Sequence, residues 1–496
     1  MITELTLSKS QYVKGLQCPK KLWYYRHRKD LMPEIDPATQ ALFDAGNEIG
    51  ILAQQYYDGG LEVTEKYWEI EKAAHSTQQF IADGHEIIYE ATAIHPVDGS
   101  YSRIDIFHKV PGTDEWDLIE VKSSTGVKDY HIDDMSFQYY VFCNAGHKIR
   151  RCFMMLINNK YIRQGDIDPQ GLFHLEDISE EVFAKQGEVG HMAEQLGHVL
   201  DRKEEPLAEI GSRCFNPFEC DYRHHCWQHV PDYSIYNVFQ NKKADEIYAL
   251  INSYDVKDIP SELVPGGAKS VDVDCHQNDK EYIEQDSTEQ FLSSLEYPLY
   301  YLDYETLMSG VPLYDGTRPY QQIPFQFSLY VQESPEAEMQ HFEFLHKEPT
   351  DPRQHFAEKL VELCGDSGSV VVYNAGFETR INREVANDFP QYAVKLEGIN
   401  SRVIDLMKPF QKRWLYKPEQ MGSYSIKYVL PAYVPELSYD GMAIADGGDA
   451  MDNYLRFVKG DIPANEHGAL WAALSEYCKL DTLAMVKIHD QLKKSI

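Results

Sequence analysis

Residues 102–124 read SRIDIFHKVPGTDEWDLIEVKSS. Two strand signals stand in it, SRIDIFHKV (102–110) and WDLIEVKSS (116–124), each with an acid among apolar neighbours. Asp105 lies in the first, and Glu120 and Lys122 lie two apart in the second. Side chains alternate along a strand, so Glu120 and Lys122 project from the same side. An acid on one strand, with an acid and a lysine on the next, can hold a divalent cation. Hard oxygen ligands suit Mg2+ or Mn2+. The lysine can neutralise a phosphate beside the ion. Taken alone, IEVK also fits an exposed strand face that mixes Glu with Lys.

Working outward, HEIIYEATAI (85–94) is a third strand signal and AGNEIGILAQQYY (45–57) has helical apolar spacing. A helix is expected through DMSFQYYVFCNA (134–145), and RCFMMLIN (151–158) returns as a strand. Ser8 or Ser10 can cap a first helix through KLWYY (21–25). Helices interleaved with strands give an α/β core. Residues 244–263 read as a short helical element, and PGGAKSVDVDCHQNDKEYIEQDS (265–287) reads as a polar loop. A new strand-bearing pattern starts at YPLYYLDYETL (297–307). It continues through IPFQFSLYV (323–331) and GSVVVYNAG (368–376), and closes on a helix at 471–492. The expected division is a first domain over 1–232, a linker over 233–290 and a second domain over 291–496.

The chain has 496 residues, so more than one domain is the prior. Apolar residues make up 43%, enough for packed cores. The formal charge, 47 − 79 = −32, argues against binding phosphate through the global field. It leaves room for acids gathered around metal ions and bases gathered in a local groove. No apolar run is long enough for a membrane helix, so no membrane partner is expected. The start, MITELTLSKSQYVKGLQ, lacks the layout of a signal peptide, which points to the cytoplasm. Thiols stay reduced there, and the nine cysteines are an odd number, so a disulfide framework is not expected.

The ordered set Glu48, Glu90, Asp105, Glu120-x-Lys122 and Gln138 resembles the PD-(D/E)XK nuclease superfamily, in its RecB-like branch. The resemblance implies a restriction-endonuclease-like core. Asp105, Glu120, Lys122 and Gln138 would then be catalytic, and Glu48, Glu90, Asp105 and Glu120 would take the metal. The pattern departs after Gln138, where the family's tyrosine position is Phe142, with Tyr139 and Tyr140 nearby.

Against that background the stretch CFNPFECDYRHHC (214–226) takes on meaning. One RecB-like group carries a cysteine near the N-terminus and three more after the nuclease core. By that resemblance Cys18 joins Cys214, Cys220 and Cys226 around a [4Fe–4S] cluster, which would clamp the first helix to the end of the domain. Zinc on the same cysteines, or on His224 or His225, stays open as an alternative.

The second half holds paired carboxylates. Asp303 and Glu305 share one side of a strand and repel each other unless a cation lies between them. Asn374 and Glu378 follow in YNAGFETR, Asp405 in SRVIDLM, and Tyr477 and Asp481 lie four apart on one helix face. This order resembles a DEDD-type exonuclease of RNase H-like fold. The resemblance implies two metal ions held by Asp303, Glu305, Glu378 and Asp481, with Tyr477 orienting the attacking water. Glu378 stands where the family has aspartate. Separately, DYET can be a charged edge strand and Y-x-x-x-D a surface pair.

The whole chain thus resembles bacterial fusions of a RecB-like iron–sulfur nuclease with a DEDD exonuclease-like domain. The implied function is metal-dependent phosphodiester hydrolysis, of DNA more than RNA, from two sites. Two other readings remain: a nucleic-acid-binding scaffold with decayed sites, and a protein with one active site. No P-loop is present, so a separate helicase or defence partner stays open as the motor. Basic–aromatic stretches at 20–29, 147–151 and 412–417 can meet a strand, or simply face solvent.

Overall fold

The computed structural model describes residues 6–496. Two compact units form: residues 1–229 with 309–320, and residues 230–308 with 321–496. The fold class is mixed α/β, with mixed sheets in both units.

The first unit is built on six strands in sequence order: β1 (Leu61–Glu62), β2 (Ile87–Ile94), β3 (Tyr101–Lys109), β4 (Glu115–Lys122), β5 (Lys148–Ile157) and β6 (Phe173–Asp177). β2, β3 and β4 run antiparallel, and β4 pairs parallel with β5 through the helix Asp129–Asn144. Alternation divides the sheet between two cores. Phe107, Leu118 and Met154 pack toward the helices Asp129–Asn144 and Ser179–Asp201. Ile106, Ile119 and Met155 pack on the other face with Ile49 and Ala53 of the helix Pro37–Tyr56. Because both faces are covered, β4 is almost wholly buried and does not read as a half-polar strand.

Ser8 caps the first helix, as its sequence suggests, accepting from the Gln11 N–H at 3.2 Å. The helix does not run on through KLWYY. It ends at Gln17, and a second helix spans Pro19–His27. Pro19 cannot donate within a continuing helix, and Cys18 is extended between the two.

The strands of the second unit are β7 (Tyr282–Ile283), β8 (Leu299–Leu307), β9 (Ile323–Gln332), β10 (Gln340–Leu345), β11 (Ser369–Val372), β12 (Val403–Asp405) and β13 (Leu415–Tyr416). The main sheet has the order β10-β9-β8-β11-β12. β8, β9 and β10 are antiparallel, and β11 and β12 extend the sheet in parallel from β8. Leu302, Tyr304 and Val370 face the helices Arg353–Leu363 and Ala375–Asp388. Leu299 and Tyr301 face the long helix His467–Lys494. Asp303 and Glu305 share the parity of Leu299 and Tyr301, so the strand period aims them at that last helix.

The stretch expected to be a linker is built into this second unit. The supposed polar loop contains the helix Ala268–Asn278 and the first residues of the helix Gln285–Ser293. Asp272 is fully buried there and holds the buried Arg413 guanidinium at 2.5 and 3.0 Å. A carboxylate that pairs with a distant arginine looks like a surface residue in sequence. Residues 309–320 belong to the first unit although they lie in sequence between β8 and β9. Among the described residues no helix is long and apolar enough to cross a membrane.

Candidate active sites and a thiol cluster

In the first unit Glu120 is the centre of a bonded group. Lys122 Nζ donates to Glu120 Oε1 at 2.8 Å and to Asp134 Oδ2 at 2.9 Å. Lys9 Nζ reaches the same Glu120 oxygen at 2.7 Å, and Gln138 Nε2 donates to Oε2 at 2.8 Å. Burial by itself raises the Glu120 pKa, but Lys122 and Lys9 outweigh it and hold the carboxyl down at about 2. Asp105 Oδ2 accepts the Val121 N–H at 2.6 Å. Burial first, and then the Glu120 charge, push Asp105 up to about 7. Burial followed by Lys122 pushes His131 down to about 4.

Glu90 lies on β2 in an interrupted rung. Tyr89 pairs with Ile106 and Ala91 with Ile104, so Glu90 and Asp105 stand opposite each other. Its φ of 56° is rare for a residue with a side chain, and such strain concentrates at functional sites. Burial raises its pKa and Arg103, 4.0 Å away, opposes the rise. Glu48 is half-buried on its helix beside Ile49, which packs on the sheet. Phe142 is core, 5.1 Å from the Phe107 ring. Tyr140 is committed to Asp98, donating at 2.7 Å.

Cys18, Cys214, Cys220 and Cys226 line one small cavity with Lys20, Lys21 and Arg213; neither His224 nor His225 lines it. Cys18 arrives at the break between the first two helices. The Cys220 N–H donates to the Cys214 carbonyl at 2.8 Å, folding the loop back on itself. Burial pushes the Cys220 thiol up to about 11, while Lys21 pulls the other way. Among the described residues, only Asp303, Glu305 and Cys478 place three ligand atoms within 4.8 Å of one another. A tetrahedral zinc with bonds of ~2.3 Å needs its sulfurs about 3.8 Å apart. Among the described residues no three of the four thiol sulfurs fall within 4.8 Å of one another.

In the second unit Asp303, Glu305, Glu378 and Asp481 converge. Burial raises all four, and Asp303 also raises Glu305 and Glu378. Asp481 stops at about 6, because Tyr439, Tyr477 and Lys427 oppose its burial. Tyr439 donates to Asp481 Oδ1 at 2.5 Å. Glu378 is buried, and its Oε2 has no hydrogen-bond partner. None of these four acids makes an ion pair among the described residues. Cys478 Sγ lies 3.8 Å from Asp303 Oδ2. The helix Gly447–Lys459 begins at the site, where Gly447 stands close to Glu305 Oε2. Asp405 does a different job. Its oxygens accept the N–H groups of Asn374, Ala375 and Met407 at 3.0, 3.1 and 3.0 Å, which caps the helix that carries Glu378.

Sequence reasoning missed Lys9, Asp134, Tyr439 and Cys478. Lys9 and Glu120 are 111 residues apart, so no local spacing could join them. Cys478 lay inside the Y-x-x-x-D motif and could have been noticed by its helical register. Residues 300–425 match a family described as "Domain of unknown function (DUF2779)", a stretch that includes Asp303, Glu305 and Glu378 but not Asp481. The "Uncharacterized protein MG366 homolog" of Mycoplasma pneumoniae is 27% identical over 214 residues, 40% of this chain and 32% of that relative. The chain spans about a third of the length of the curated relative it matches.

Proposed function

We propose that the protein is a metal-dependent nuclease with two active sites, a RecB-like PD-(D/E)XK site in the first unit and a DEDD-type exonuclease site of RNase H-like fold in the second. The observation that carries this reading is the second-unit carboxylate cluster. Buried Glu305, Glu378 and Asp481 gather about the half-buried Asp303, among the described residues no cationic side chain is bonded to them, and Glu378 Oε2 has no hydrogen-bond partner. Burying such charges is costly unless a cation joins them. The donor set is mainly hard oxygen, which fits Mg2+ or Mn2+. A cation pair bound there would offset charge on the attacking and leaving oxygens of a phosphodiester. Tyr439 and Tyr477 fix Asp481, and the strand period fixes Asp303 beside Glu305. The sheet order β10-β9-β8-β11-β12, with a long helix over β8, supports the RNase H-like assignment.

In the first unit, Glu120 and Lys122 on β4, followed by a crossover helix to parallel β5, support the PD-(D/E)XK assignment. Lys122 keeps its proton between Glu120 and Asp134, and so offers a cation to phosphate. Asp105, Glu90 and Glu120 would hold the metal, with Gln138 steadying Glu120. Cys18, Cys214, Cys220 and Cys226 would hold a [4Fe–4S] cluster. Their shared cavity, which neither His224 nor His225 lines, supports a group held by four thiolates. It would bind the first helices to the end of the unit.

The substrate class is nucleic acid, DNA ahead of RNA, and the DEDD assignment implies 3′→5′ direction. Single-turnover cleavage of a 5′-end-labelled single strand tests the reading. With Mn2+ the full chain should shorten the strand from its 3′ end, and Asp303→Ala should stop that ladder. A ladder unchanged in Asp303→Ala would remove the second site from the proposal.

A further inference from the structure

In a chain where acids outnumber bases 79 to 47, a cavity without a carboxylate in its wall stands out. One of about 700 Å³ opens beside Lys122 in the first unit, and its lining includes Lys128, Tyr130, His131, Arg318 and Tyr320 but, among the described residues, no Asp or Glu. Its size is that of a ligand site. Lys122 itself is engaged by Glu120 and Asp134. Lys128 is exposed and makes no ion pair among the described residues, and its ammonium lies 5.8 Å from the Tyr130 ring centroid. His131 Nδ1 accepts the Lys128 N–H at 3.2 Å, which assigns the proton of the neutral ring to Nε2 as a donor.

The far wall comes from the 309–320 segment, and it is firmly held. Arg163 Nη1 donates to the carbonyls of Pro312 and Leu313 at 3.0 and 2.7 Å. The Gly165 N–H donates to Asp315 at 2.8 Å, and Tyr320 donates its hydroxyl to the Ser123 carbonyl. Tyr320 has a φ of 60°, a conformation that a bulky side chain adopts only under constraint. The segment therefore presents Arg318 from a fixed frame.

Resting on the nuclease reading of the first unit, we infer that this cavity seats the backbone of a single nucleic-acid strand next to Lys122. Lys128 and Arg318 take phosphates on either side, and Tyr130 offers a face to a base. Cations that track a backbone together with an aromatic surface are the combination that single strands require.

The test is fluorescence anisotropy of a dye-labelled oligothymidylate with the full chain in EDTA, where nothing is cleaved, over a series of salt concentrations. The proteins are wild type, Lys128→Ala, Arg318→Ala, the double variant and Lys203→Ala as an exposed control, each with a thermal melt to confirm folding. Each phosphate contact on a single strand contributes a salt slope of ~0.7, so the double variant should lose about 1.4 from the slope. Affinity should fall roughly tenfold or more, and the control should match wild type. A folded double variant with wild-type affinity and slope overturns the inference, as does a wild type that binds no strand. Thymidine monophosphate displacing the strand at equal affinity would make the cavity a nucleotide pocket and overturn it too. Binding that behaves as inferred, with no cleavage under any divalent cation, would leave the cavity standing and sink the nuclease reading. Lys122-dependent cleavage with an unaffected double variant would do the reverse.

Discussion

Replacing Asp481 by Asn should make the second unit more stable while disabling its site. Burial pushes the Asp481 carboxyl up to about 6 from an ordinary value of 3.8. Its folded pKa is raised, so between those values the folded state holds a proton that the unfolded state has released. Stability therefore falls as pH rises through that window, and the full penalty is present above it. The difference between 3.8 and about 6 corresponds to a ceiling of about 3 kcal/mol. Asn carries no such charge and can still accept the Tyr439 hydroxyl. In a unit of this size, ~1 kcal/mol moves Tm by about 2–4 °C, so the variant should melt up to ~10 °C above wild type at about pH 8. Near pH 4 the two should melt together. Melts followed by circular dichroism in EDTA read this directly. Adding Mn2+ should raise wild type most at high pH, because the ion replaces protons on the acids, and should help the variant less. A variant that melts at or below wild type at about pH 8, while matching it near pH 4, would refute the argument. The carboxylates would then be balanced by the protein itself and would have no need of a cation.

Cys226→Ser should bleach the brown colour and the broad absorption near ~400 nm of anaerobically purified protein, and lower its melting temperature; stoichiometric zinc without iron or sulfide would contradict the cluster. Lys122→Ala should cost roughly 10²–10³ in one cleavage activity with the fold retained, read by single-turnover rates and a melt. Asp272→Ala strands a buried Arg413 and should destabilise the second unit by about 3–5 kcal/mol, measured by urea unfolding; a loss under ~1 kcal/mol would show that residues 268–278 are peripheral.

Much of the grouping of residues in both candidate sites is legible because two periodicities carry it. The strand period put Glu120 with Lys122 and Asp303 with Glu305, and the helix period put Tyr477 with Asp481. Gathering the four cysteines in one cavity needed the family resemblance, since Cys18 lies far from the others in sequence. What stayed hidden was tertiary. Lys9 joins Glu120 from the first helix, and Tyr439 reaches Asp481 from a loop, with no spacing to announce either. The helix Ala268–Asn278 reads as a loop because its sequence, AKSVDVDCHQN, is mostly polar. Its place is set by one buried ion pair and a thin apolar face. Nothing in residues 309–320 signals that they pack with the first unit, because hydrogen bonds to backbone carbonyls leave little trace in composition.

The claim of two separate nuclease sites is tested most directly by cleavage of end-labelled single-stranded and duplex DNA and RNA with Mg2+ or Mn2+. The comparison is wild type against Lys122→Ala, Asp303→Ala and the double variant. The account predicts that each single variant loses one class of product and keeps the other, and that the double variant leaves every substrate intact. If both single variants silence the same cleavage, the sites are not independent. If wild type leaves every substrate whole, or the double variant cleaves like wild type, the nuclease account is contradicted.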